Sequence, residues 1–545
     1  MISRAEFDRT LTYLDRTGIP ADIEAKLADA RVKDGCPRNL KARILLAGIM
    51  LCAQHRGTTV MTKVHRLLTT SLDARQQQLH GIRRPDGSTV TVRQLRYLFR
   101  LITDLYEHST AYAPELDDIT RAGRADVFQA LLDALTGEAR RHLRPASAYA
   151  VDETAIESAA RGKRNNERAA QEEDRAAAGE RGHIRVADRD ARWGHKTKTY
   201  ENQSGLIFGY QAVTFTRVAP VGGPAEPILC DRIALVPGND NGAAATLDVL
   251  GGFGRAEQLP REVLVDRGFS QLGTEGWAAP LAALGVRQVF DLKVTDRGAR
   301  PHPRDGYLMI DGQPYCPSIP EELIVIPRPV NLSAGKLPKH PTKEQKAEHD
   351  TRQRNIDEFN DAIATREQYR FAPVGRTKAG QQRWQCPARA GKVSCVGCPF
   401  SIDYPDTVAR VEPADPANLP KACRQETITI RDDVDLKRRQ EHPWGSPAWQ
   451  ASYSRRARAE GTHGILKASD SGAIRRGFTR YTGLVRTGIV LALAIAQSNL
   501  VMLTKWAIAT NNHVDPLTTI DVTPRPFQEL DPDDGTAGGL APPAA

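Results

Sequence analysis

The chain has no uninterrupted apolar run of membrane-spanning length. Its greasiest stretch, GIVLALAIAQSNLVML (488–503), contains Gln497 and Asn499 and is flanked by Arg486 and Lys505. It falls short of the roughly 20 apolar residues that a bilayer core demands, so it reads as a buried helix, and no membrane partner is expected. The opening residues, MISRAEFDRTLTYLDR, lack an apolar core followed by a small-residue cleavage site, a pattern that argues against export. Cysteine is scarce, with 8 among 545 residues, which does not suggest a disulfide scaffold. These absences point to a reducing cytoplasm. Positive charge is in excess: 75 Lys and Arg stand against 66 Asp and Glu, a formal net charge of +9. That favours a polyanionic partner such as nucleic acid, although basic proteins with quite different roles share the value.

A chain this long exceeds the size at which single cores stop growing, so about two to four domains are expected. Residues 1–140 are helical in pattern. NLKARILLAGIMLCAQH (39–55), TVMTKVHRLLTT (59–70) and TVRQLRYLFRLITDLYEH (91–108) carry apolar residues at helical spacing, punctuated by Lys41, Arg43, Lys63, Arg66, Arg93, Arg96 and Arg100. A DNA-binding helical domain and an ordinary bundle with a solvated basic surface account for this equally well. At SAYAVDETAI (147–156) the pattern changes to a strand. A charged, alanine-rich stretch without aromatics follows at 157–185 and reads as a solvated insertion. Strands are then expected at 206–218, 226–236, 261–266 and 286–294, with helices at 242–250 and 274–285. Residues 295–445 are rich in proline and turns and behave as an insertion with a cysteine cluster. Residues 446–510 return to helix, and the tail from 516 to 545 reads as disordered.

Three acids stand out in this frame. Asp152 in AVDET and Asp266 in VLVDRGF are placed at the carboxyl ends of expected strands, where open α/β sheets commonly carry active sites. An aspartate after a strand is also a common helix cap or turn former, so neither motif decides alone. Glu460 sits in YSRRARAEGTHGILK (453–467). At about 100° per residue of helix, Tyr453, Arg456, Glu460 and Lys467 fall inside one arc of roughly 60°. A plain hydrophobic core has no reason to select an acid and two bases on one face. Two aspartates and a glutamate brought together would hold two hard divalent cations. Two metals roughly 3.5–4 Å apart activate a nucleophile and stabilise the departing oxygen of a phosphodiester. Arg456 and Lys467 suit backbone phosphates, the first by two hydrogen bonds and the second as a point charge. Tyr453 suits a phosphate or the face of a displaced base.

Taken unbroken, Y-x2-R-x3-E-x6-K resembles the C-terminal signature of bacterial insertion-sequence transposases with a DDE catalytic triad. In that resemblance Asp152 in VDET and Asp266 in DRGF match the first and second acids, and Glu460 the third. The likeness spans about 147–507. It implies an α/β ribonuclease H-like catalytic core with a helical N-terminal domain and a large insertion before the glutamate helix. It further implies magnesium- or manganese-dependent cleavage of double-stranded DNA at transposon ends and strand transfer into a target. A homodimer or higher oligomer on DNA, associated with the nucleoid, follows from the same likeness. DRDARWGHKTKT (188–199) also looks like a segment common in such transposases. There Asp188 or Asp190 would support the metal site, and Trp193, His195, Lys196 and Lys198 would touch DNA. A polar turn leading into LIFGY is the plainer reading of those residues. His463 has two readings as well, a group that positions water or phosphate and a packing histidine. Two other functions fit the same residues: a nuclease of this fold without strand transfer, and a catalytically silent DNA-binding protein derived from a transposase.

In the insertion, QCPARAGKVSCVGCPF holds Cys386, Cys395 and Cys398, and Cys423 follows. Cys395-x2-Cys398 has zinc-knuckle spacing, and a turn-rich region with little core gains from a metal clamp. Cys316 is a further candidate ligand. Unpaired thiols in a reduced protein are the alternative.

Overall fold

The computed structural model describes residues 2–29, 40–162, 187–196, 204–256, 259–302, 305–396, 398, 401, 408–413, 415–468, 472 and 474–510. The expected alanine-rich insertion lies largely outside these residues, as do Lys198 and the tail from 516. The chain divides into two compact units, Met1–Pro260 with Arg456–Ala545, and Arg261–Arg455. Strands 261–266 and 286–294, grouped with the earlier strands from sequence order, therefore fall in the second unit.

The first unit opens with α1 (Arg4–Arg16), α2 (Ile19–Asp29), α3 (Ala42–Arg56), α4 (Met61–Thr70), α5 (Ala74–Leu79), α6 (Val92–Asp104) and α7 (Asp118–Gly137). Their starts follow local chemistry. Ser3, Asp73 and Asp117 each accept a hydrogen bond from a first-turn N–H, and Thr91 with Gln94 forms a reciprocal cap on α6, satisfying donors that a helix start leaves unpaired. Next come β1 (Ala148–Glu157), β2 (Arg192–His195), β3 (Leu206–Arg217), β4 (Cys230–Pro237) and α8 (Gly242–Ala256). The strand β3 is central. It pairs antiparallel with β1 along 209–217, with β2 along 206–209 and with β4 along 210–216.

The apolar stretch near the C-terminus is the helix Leu484–Ala509. By length and composition it would cross a membrane, but 83% of its most apolar window is buried inside the protein. Its polar residues serve the interior. Asn499 accepts from the Cys230 N–H at 3.0 Å and donates to the carbonyls of Cys230 and Thr136 at 2.7 and 2.9 Å. A buried amide so fully partnered costs little. Gly488 is required by packing, since a Cβ there would meet the Phe128 ring at 2.6 Å.

The second unit contains the short parallel pair β5 (Glu262–Leu264) and β6 (Arg287–Val289), followed by small sheets of strands three to five residues long. The expectation of few periodic segments in 295–445 misses the 26-residue helix Lys343–Gln368. Only Ile356, Phe359, Ile363 and Arg366 on it are buried, so apolar periodicity exists in its second half alone. The first half rests on the Thr342–Gln345 capping box. Arg366 anchors the helix by donating to Asp311 at 2.7 Å and to the Trp444 carbonyl at 3.0 Å.

Candidate active site

Asp152 lies in the middle of β1, opposite Thr214 of β3, and not at the end of the strand as expected. The strand continues because the five residues after Asp152 keep their ladder to β3, as far as Glu157 opposite Gly209. The glutamate stretch also differs from its expected single helix. Helix Pro447–Ser454 ends, and helix Ala457–Lys467 begins, on either side of a turn at Arg455 and Arg456. The cause is local. The Ser452 carbonyl accepts from both the N–H and the Nε of Arg455, at 3.3 and 3.1 Å, and Arg455 also pairs with Glu262. That carbonyl is thereby drawn into a tighter turn that interrupts the α-helical ladder. Tyr453 falls in the second unit, its ring stacked on Trp449 with centroids 4.9 Å apart, so one of its faces is already covered.

Two of the three acids share the first unit and one partner. Arg456 donates Nη2 to Asp152 at 3.1 Å and Nη1 to Glu460 at 3.0 Å. The Asp152 carboxylate is largely shielded, with 16% of its side chain exposed, whereas that of Glu460 is 69% exposed. Lys467 ends the glutamate helix. Desolvation by its surroundings and the Lys196 ammonium lower its pKa, against the pull of Asp152. Lys196 in turn pairs with Glu157 at 2.7 Å. One acid, one bridging arginine and two lysines therefore surround the carboxyl half of β1, with the second acid on the facing helix.

His463 is tied into the same place. The Thr214 hydroxyl donates to the Asp152 carbonyl at 3.1 Å and meets His463 Nε2 at 2.9 Å. The imidazole is thereby linked, through Thr214, to the strand at Asp152. Burial, then Lys467 and Arg456, push its pKa down to about 4. The folded value lies below the unfolded one, so the unfolded chain binds the extra proton first. Stability should be complete above about pH 6.5 and fall as pH drops toward 4, by up to about 3 kcal/mol. Urea titrations from pH 7 to 4 of the wild type and His463→Gln check this; equal pH slopes would contradict it.

Asp188 and Asp190, expected as supports of the metal site or as a polar turn, do structural work. Asp188 accepts from Ser158 at 2.5 Å, Tyr210 at 2.6 Å and the Gly483 N–H at 3.0 Å, and Asp190 accepts from the Leu484 N–H at 2.8 Å and from Ser109. Both are buried and sit where the long apolar helix leaves its first N–H groups free, a position that suits a carboxylate. In the segment read as a polar turn, RWGH forms β2, and Trp193 packs on Phe208 at 5.6 Å between ring centroids.

Asp266 belongs to the second unit. It follows β5 by two residues, at the carboxyl end of that strand as expected. Its Oδ1 accepts from the Gly268 N–H at 2.6 Å, and a Cβ on Gly268 would come within 2.8 Å of that oxygen. A side chain at the glycine of DRGF would press on the Asp266 carboxylate. Cys316, Cys386 and Cys423 are buried, and Cys395 and Cys398 half-buried. Burial, followed by the neighbouring thiols, raises Cys423 to about 12 and Cys395 to about 11.

Among the described residues no group of three or more His, Cys, Asp and Glu side chains is arranged to hold a metal ion. In donor chemistry Asp152 and Glu460 nevertheless fit a hard divalent cation, and Arg456 offsets the repulsion between them. No family model, curated protein or solved structure matches the chain. The sequence singles out His463 but carries no signal for Thr214, whose role depends on a cross-strand neighbour.

Proposed function

We propose that the protein is a DDE-type DNA transposase that cleaves double-stranded DNA at transposon ends and joins the ends to target DNA. The observation that carries this reading is the shared guanidinium of Arg456, which joins the first acid on β1 to the glutamate of the signature helix. Asp152 and Glu460 are the residues of the first unit that would hold magnesium or manganese, and Asp266 of the DRGF motif is the further acid that the transposase resemblance implies. Such ions supply an activated oxygen nucleophile and neutralise charge on the phosphoryl group. The chain's own groups do the rest. Lys467 and Lys196 attract the DNA backbone to the acids, and the His463–Thr214 pair keeps β1 in place. A ribonuclease H-like core and a multimer on DNA belong to the same proposal.

The test is incubation of the full chain with a DNA duplex bearing its element end and a supercoiled target, in magnesium. Joined product is expected. Hydrolysis without joining favours the nuclease of the same fold, and binding without any cutting favours the silent derivative.

For the second unit we propose a structural zinc held by Cys386, Cys395, Cys398 and Cys423. The support is the mutual influence of these thiols together with the tight Cys395–Cys398 turn, closed by an N–H to carbonyl bond of 3.3 Å. Purified protein should carry about one zinc per chain by elemental analysis, falling in Cys395→Ser. A metal-free chain of unchanged thermal stability would contradict it.

A further inference from the structure

The helical domain has one face that no described residue of the first unit covers. On α6, Arg93, Arg96, Tyr97 and Arg100 are exposed, while Leu95, Leu98, Phe99 and Ile102 are buried. At about 100° per residue, the four exposed residues span an arc of roughly 100°. No acid occurs on α6 before Asp104. Arg93 and Arg96 form no ion pair among the described residues, and Arg100 lies over the Tyr97 ring, 5.3 Å from its centroid. A charged helix face is usually only a solvated one, so this face alone decides nothing.

A second basic element joins it. The segment RRGFTR (475–480) has no acid, and Arg475, Arg476 and Arg480 on it are exposed. Its Phe478 carbonyl accepts from the Thr59 N–H at 2.7 Å and the Thr58 hydroxyl at 2.8 Å, which seats the segment at the start of α4. Tyr481 then packs on Phe99 of α6, ring centroids 4.5 Å apart. At its other end the segment reaches the acids. Arg475 Nε donates to the Lys467 carbonyl at 2.6 Å, and Arg476 pairs with Glu157 at 3.4 Å while 79% of its side chain stays exposed. Glu157 is the carboxylate that holds Lys196. Exposed positive charge therefore recurs on α6 and along the 475–480 segment, which reaches Lys467 at its other end.

We propose that duplex DNA lies along this track, with α6 and the 475–480 segment as two arms that hold its backbone and deliver it to the acids. The inference rests on the DNA reading above and names the surface that serves it. A rigid polyanion with one phosphate charge per 3.4 Å of each strand suits exposed arginines repeated on two packed elements. The 475–480 segment links the two basic elements, since its Phe478 carbonyl is bonded to the α4 start, Arg475 to the Lys467 carbonyl and Arg476 to Glu157 of β1.

The test is fluorescence anisotropy of the full chain with a labelled random-sequence duplex across a salt series. Two neutralised pairs are compared, Arg96→Gln with Arg100→Gln on α6, and Arg476→Gln with Arg480→Gln on the segment. A control pair, Lys346→Gln with Arg354→Gln, sits on the exposed part of helix Lys343–Gln368. Each arm should weaken affinity by at least about tenfold and reduce the slope of log affinity against log salt by about 2, one for each phosphate that is no longer neutralised. The control pair should leave the slope unchanged. All substituted side chains are exposed, so circular dichroism and melting should match the wild type. If the wild type binds with a steep slope that neither arm alters, or only one arm alters, the track is wrong while the DNA reading stands. If the wild type shows no salt-dependent binding to duplex, both fall.

Discussion

Glu460→Gln and Asp152→Asn should each abolish magnesium-dependent DNA cleavage, by at least about a thousandfold, while leaving the fold intact and DNA binding largely preserved. A thousandfold is about 4 kcal/mol of transition-state stabilisation, in the range lost when a charged group aimed at a phosphoryl centre is neutralised. The two variants are nearly isosteric, which separates charge from shape. Glu460 is 69% exposed, so its neutralisation has little reason to disturb packing. Asp152 is shielded and paired with Arg456, and its amide replacement keeps an oxygen for that arginine. The two should therefore differ in stability and agree in activity. Residual cleavage near the wild-type rate in either variant would remove that acid from the mechanism.

The largest effect on folding is expected at Arg217. It is 1% exposed and pairs at 3.3 Å with Asp231, which is fully buried and also accepts from the Tyr149 hydroxyl at 3.1 Å. Tyr149 faces Arg217 across the β1–β3 ladder, so the pair underlies the strand that carries Asp152. Arg217→Met leaves the Asp231 carboxylate buried without its cation and should cost about 3–5 kcal/mol. Adding Asp231→Leu removes the orphaned charge and should recover most of the loss. Urea unfolding reads both, as a fall and a partial return of the midpoint at constant slope. A single variant within about 1 kcal/mol of wild type, on the scale of exposed pairs, would show that the buried charges are already relieved by other groups.

Much of the architecture follows from where apolar residues concentrate, and what escapes notice rests on other interactions. The strands β1, β3 and β4 and the long helix from Leu484 are buried over most of their length, and their apolar content is visible along the chain. Helix Lys343–Gln368 is hidden because half of it buries nothing, leaving caps and charges as the only signal. The break at Arg455 is hidden because it arises from a side chain gripping a carbonyl one turn back, a bond that spacing does not encode. Asp188 and Asp190 invite a functional reading by their acidity, yet the N–H groups they satisfy come from residues almost 300 positions away. In the candidate site, spacing along the signature places Arg456, Glu460 and Lys467 together. It does not show that Arg456 bridges to Asp152, because that pairing spans 304 positions.

The proposed function requires metal-dependent phosphoryl transfer on DNA by the acids that Arg456 holds. The most direct measurement is the joining assay with pre-cut element ends and supercoiled target, run in parallel with magnesium and with chelator. Joined product in magnesium, absent in chelator and absent for Glu460→Gln, is the predicted result. Equal joining in chelator with no added metal, or by Glu460→Gln in magnesium, would contradict it.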